Sequence, residues 1–276
     1  MTKRRNLTHS ELFSLPPIAT RPAAEPAAVE IPPRTVVTGN REVDLVIWLR
    51  ALISSANPVL LAIARQEAKR IKTPMEDLEK VYAAHLHVRS GGGFNAVLSS
   101  IGFGDLNALE RRVARDAARR SEALARFGTP GAVLAEAPAE AFSRAALRGL
   151  KRRKDEFYLV PSEVDARFLS WPAQLPRTLT ACISELTYWR DLSRLRHSFD
   201  GVGDSLPAAF ERERFVRRQL AVIPPESVAE ALAVFDFMQA DGLMDQSDTP
   251  DVLRNLIAGP RREPDQAMTA AEASNT

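Results

Sequence analysis

From Arg41 to Ala258 apolar residues return at steps of three, four and seven, and proline or glycine repeatedly cuts the runs. That spacing is the period of one buried helical face, and it constrains the fold more than any other feature. The clearest run follows Asp105, where Leu106, Leu109, Val113, Ala117, Leu124 and Phe127 share a face. Asp105 suits the N-cap and Gly128 the left-handed position after the last turn. The one stretch with strand character, residues 155–160 (DEFYLV), is too short to carry a sheet. The expected fold is all-α and bundle-like.

The remaining helices are placed by their punctuation. One spans Arg41 to Ser54, with Val43, Val46, Ile47, Leu49, Leu52 and Ile53 inward. Asn57 caps a second, Pro58 to Ile71, with proline at the permitted first position. Thr73 and Glu76 form a capping box for a third, ending near Val88. Gly91, Gly92 and Gly93 break the chain as a hinge before a short helix, Phe94 to Ile101; they lack the Lys-Ser/Thr of a phosphate loop. Helix restarts at Thr129-Pro130, Ala137-Pro138 and Ser162. Leu179, Ile183, Leu186, Trp189, Leu192, Leu195 and Phe199 define a long helix within 177–199. Further helices cover 206–222, 229–240 (capped by Ser227 with Glu230) and a last one from Thr249-Pro250 to Gly259. Short connections favour antiparallel neighbours.

Residues 1–40 hold six prolines among alanines and little periodicity, so they are expected to form a disordered arm. Within it Leu12, Phe13 and Leu15 suit a short docking motif, a few hydrophobes in a tail, or one strap across the domain. Residues 41–172 are then a helical domain, and 173–260 a second helical subdomain acidic toward its end. The turn from Pro172 to Pro176 is the boundary, and 261–276 is a disordered tail. With 45% hydrophobic and 26% charged residues the chain can afford a core. No apolar run follows the basic start as in a signal peptide, and none is uninterrupted enough to span a membrane. The alanine- and arginine-rich usage points to a bacterial, cytoplasmic protein.

The formal net charge is only +2, but the charges are sorted. Arg144, Arg148, Lys151, Arg152, Arg153 and Lys154 lie in one stretch without an acid. Residues 224–251 carry seven acids and no lysine or arginine. Three explanations compete: a nucleic-acid phosphate contact, docking on the acidic segment within a chain or between two, or complementation of a helix C-terminus. Arg111, Arg115 and Arg119 on the exposed side of the preceding helix would lengthen a phosphate footprint. Glu110, Asp116 and Glu122 on that helix support ordinary pairing instead.

The chemistry of known active sites is missing. One cysteine, Cys182, excludes an intramolecular disulfide and reads as a small buried apolar residue. His85 and His87, two apart on a helix, point to different faces and cannot chelate as an i,i+4 pair. His9 lies in the arm, and His197 reads as a cation at a helix C-terminus. Trp48, Trp171 and Trp189 read as core. No catalytic residue, cofactor site or metal site is expected.

The opening MTKRRN, the segment 70–74 (RIKTP), and the pair LARFGTP (124–130) and ALRGLKR (147–153) resemble accessory proteins of broad-host-range bacterial plasmids, of the KlcB type. The resemblance covers the first 155 residues or so and carries no catalytic or binding residues across. It implies a role in plasmid maintenance or its regulation. The expectation is therefore a non-catalytic accessory protein working through protein contacts or self-association, with DNA a candidate partner of the basic stretch. The alternatives are a helical adaptor without nucleic-acid contact and, third, an enzyme of unknown chemistry.

Overall fold

The computed structural model describes residues 7–19, 29–89, 101–152, 158–200 and 206–259. Every regular element among them is a helix. The chain divides into two compact units: residues 19–125 form one, and residues 1–18 with 126–276 form the other. The boundary thus falls at 18/19 and 125/126 rather than near Pro172. The Pro172–Gln174 turn is a single 3-10 turn inside the larger unit, because its flanking helices share one core.

In the smaller unit, α2 (Arg41–Ser54) crosses α3 (Pro58–Ala68) and α4 (Met75–Arg89), with α5 (Leu106–Phe127) completing the group; α1 (His9–Leu12) belongs to the other unit. The caps are local. Asn40 accepts from the amides of Glu42 and Val43, Asn57 from those of Val59 and Leu60, and Asp105 from that of Ala108 at 2.8 Å. Thr73 departs from its expected capping role. Its amide, with that of Lys72, donates to the Glu42 carboxylate on α2, and α4 begins at Met75. The core joins Trp48, Leu49, Leu52, Leu60, Ala64 and Leu109, and next to them Val43, Val46, Leu78 and Phe103. Part of the expected arm belongs here: Pro32 accepts the Trp48 indole N–H at 2.7 Å, and the Arg34 guanidinium lies over that ring.

The larger unit is built around α9 (Leu179–Asp200) and α10 (Pro207–Gln219). Against them pack α6 (Pro130–Leu134), α7 (Pro138–Ala146), α8 (Pro161–Leu169) and α11 (Val228–Ala240), and α11 carries α12 (Thr249–Ala258). Phe168, Leu179, Cys182, Phe215, Val216, Val234 and Val252 form its centre. Gly128, at φ +87°, ends α5 as expected, and Thr129 caps α6. Arg196 on α9 fixes the α6–α7 connection by bonding the buried Glu140 and the carbonyls of Val133 and Ala135. Residues 158–160 form no strand: the Leu159 amide donates to Glu211, and Tyr158 stacks on Phe210.

The other part of the expected arm is a strap on this unit. The short α1 (His9–Leu12) lays Leu12 and Phe13 among Tyr188, Trp189, Leu192 and Ala209. Six prolines follow it and argue against order, but Leu12 and Phe13 bury enough apolar surface to hold the segment. Trp171, expected in the core, is 42% exposed and meets Phe142 edge-on, because Pro172 turns the chain at the surface. Residues 91–100, 155–157, the 201–203 turn and the tail after 260 lie outside the described residues.

Candidate functional site

The basic stretch straddles the end of α7. Within α7 only Arg144 sits in the last turn, and it makes a bidentate pair with Glu136 at 2.7 and 2.9 Å. The guanidinium beside Glu136 holds that carboxyl below its ordinary value. The helix stops at Ala146, and Gly149 at φ +90° turns the chain away. Arg148, Lys151 and Arg152 are exposed on that turn and, among the described residues, make no ion pair. Arg153 and Lys154 lie outside the described residues. A helix dipole acts within its last turn, so it accounts for Arg144 and not for the cations beyond.

Arg111, Arg115 and Arg119 belong to the smaller unit, on the polar side of α5. Arg111 and Arg115 are exposed, and Arg119 is half-buried, 3.6 Å from Asp116. Glu110 reaches Arg65 on α3, which holds its carboxyl down. The structure thus brings Arg148, Lys151 and Arg152 together on one turn.

The acidic segment is only partly available. Glu230 is buried at the start of α11: burial pushes its carboxyl up, but the Glu226 and Thr180 amides and the Thr180 hydroxyl outweigh that and hold it below its ordinary value. Asp241 pairs with Arg190 at 2.5 Å, and Asp251 with Arg254 at 2.6 Å. Glu226, Asp236, Asp245 and Asp248 make no ion pair among the described residues. None of the described cations of 144–152 reaches this segment, which removes docking within one chain from the described part of the patch.

Two features were not foreseen. The first is a buried ion pair, Glu185 on α9 with Arg212 on α10, both sealed from solvent. His9 of the strap places Nε2 2.8 Å from Glu185, and Trp189 donates to the same carboxylate. Arg212 also donates to the Gln174 carbonyl, while the rings of Phe13, Phe168 and Phe215 stand 4.8–5.0 Å from its guanidinium. Arg212 Nη1, also buried, makes no hydrogen bond among the described residues.

The second is an open cleft of about 400 Å³ between α9, α10 and α11. Leu186, Trp189, Phe237 and Leu243 give its apolar lining, and Arg190, Ser193, Glu213, Arg217 and Asp241 its polar groups. Burial pushes the Glu213 carboxyl up, Arg217 pulls it part of the way back, and Asp241 adds to the rise. Its sequence signal is faint, since Glu213 and Arg217 stand in a run of alternating charges that reads as a solvated helix face.

Among the described residues no group of three His, Cys, Asp or Glu side chains could hold a metal ion. No described helix is long and apolar enough to cross a membrane. Compared with protein-family models, with curated proteins and with solved structures, the chain matches none.

Proposed function

We propose that this chain is a non-catalytic helical binding protein that works through protein contacts and holds the DNA backbone against the turn carrying Arg148, Lys151 and Arg152. One observation carries the reading: three cations are exposed and unpaired among the described residues, beyond the point where their helix needs them. Neutralising phosphates with them would release counterions, and three contacts give a salt slope of about −3. The resemblance of residues 1–155 to plasmid accessory proteins supplies the setting, plasmid maintenance or its regulation in the bacterial cytoplasm. Fluorescence anisotropy on a labelled duplex across a salt series tests it. Binding falls steeply with salt and is lost in an R148A/K151A/R152A variant with unchanged helicity. Absence of binding at low salt overturns the reading.

A second reading is favoured by the free acids Glu226, Asp236 and Asp245, which are exposed and unpaired among the described residues. In an oligomeric adaptor the same cations would meet these acids on another copy. Sedimentation velocity then shows a salt-sensitive assembly that the triple variant abolishes, without DNA.

A further inference from the structure

We propose that the cleft between α9, α10 and α11 binds a small zwitterion with an apolar side chain, such as a free apolar α-amino acid. The proposal is independent of the basic turn and of DNA.

Among the described residues, two charged side chains of this cleft make no hydrogen bond and no close ion pair. Glu213 and Arg217 stand four apart on α10, the arrangement in which Glu followed by Arg pairs most readily on a helix. They do not pair: among the described residues neither makes an ion pair, and Arg217 Nε, shut from solvent, has no acceptor. A buried polar atom left unbonded, as Arg217 Nε is, is uncommon and calls for a ligand or ordered water. The neighbouring charges are already matched, because Arg190 takes Asp241 at 2.5 Å. What remains open is one anion and one cation beside an apolar wall.

The ligand chemistry follows from these groups. A carboxylate would bond the Arg217 guanidinium, which presents planar donors suited to it. An ammonium would bond Glu213. Trp189, Phe237, Leu186 and Leu243 would cover an apolar side chain, and the cleft falls in the roughly 300–1,000 Å³ range of small-molecule sites. An acid alone would leave Glu213 unmatched, and an amine alone would leave Arg217 so.

The pH response has a definite sign. Glu213 faces Arg217 on its own helix, Arg190 and Ser193 on α9, and Asp241 at the end of α11. Its carboxyl is raised in the empty cleft, and an ammonium would favour the ionised form. Affinity for the zwitterion therefore rises with pH through the raised carboxyl pKa and then levels.

Calorimetric titration of the full chain with L-phenylalanine, phenylacetate and 2-phenylethylamine is the test. We expect saturable phenylalanine binding, with each singly charged analogue about tenfold weaker or worse. E213Q and R217Q should each weaken phenylalanine by about the same factor while melting and helicity stay near wild type. The analogue comparison on wild type stands even if a variant fails to fold. Phenylacetate binding as tightly as phenylalanine, and more tightly as pH falls, overturns the proposal in favour of a simple anion site. Lack of saturable phenylalanine binding also overturns it.

Discussion

Arg212 donates through Nε and Nη2 to the two carboxylate oxygens of Glu185 at 2.7 and 2.8 Å, and both side chains are fully buried. A carboxylate and a guanidinium withdrawn from water hold together because each is also bonded elsewhere, Glu185 by His9 and Trp189 and Arg212 by the Gln174 carbonyl. Removing one partner leaves an uncompensated charge. Arg212→Ala should cost about 3–5 kcal/mol, and the paired replacement E185M/R212M should recover most of that loss. Urea denaturation followed by helical circular dichroism checks both values.

Phe13 is the anchor of the strap. It meets Tyr188 and Trp189 edge-on at 5.9 and 5.7 Å and stands 5.0 Å from the Arg212 guanidinium. Phe13→Ala should cost about 3 kcal/mol. Hydrogen exchange should show protection lost over residues 8–18, while α2 and α3 keep theirs. Equal protection in both proteins would mean that the strap is held by its hydrogen bonds alone.

Cys182 is sealed in the core between α9 and its neighbours, and burial pushes its thiol up. A thiol kept protonated and covered does not react. Ellman's reagent should therefore find no fast-reacting thiol in the native protein and one equivalent after denaturation.

Glu230 gives the pH prediction. The Thr180 and Glu226 amides favour its charged form, and its folded carboxyl lies below its ordinary value. A depressed carboxyl stabilises the fold above the unfolded pKa of about 4.3, and that contribution disappears as pH falls through the folded value. Glu230→Gln should lose about 2 kcal/mol at pH 7, the scale of hydrogen bonds to a charged group. The gap to wild type should close as pH falls below about 4 in a series of urea melts.

Local chemistry was legible where it was written in neighbouring residues. Asn57, Asp105, Thr129 and Ser227 cap helices because each side-chain oxygen needs only an amide two or three residues ahead. The Thr73 box was not, since a carboxylate from α2 took the same groups. Arg212 lies in FERERFVRRQ, where composition says solvent. Yet it falls on the stripe of Ala209, Val216 and Leu220, and Glu185 falls on that of Cys182, Leu186 and Trp189. Two opposite charges on apolar stripes of neighbouring helices were the available signal. The strap was one expected reading of Leu12 and Phe13, but the sequence could not say what receives it, because its partners are 176 and 167 residues away, beyond any window of periodicity.

That separation sets an order of events during synthesis. His9 and Phe13 leave the ribosome long before the helices that receive them. At about 5–20 residues per second, translation must continue for roughly 9 to 35 s after His9 before Glu185 is made. The smaller unit, residues 19–125, is complete well before then and can fold while the strap waits unsheltered. The Leu12–Phe13 step thus stays open in a nascent chain until α9 and α10 are made, an exposed apolar handle for a chaperone.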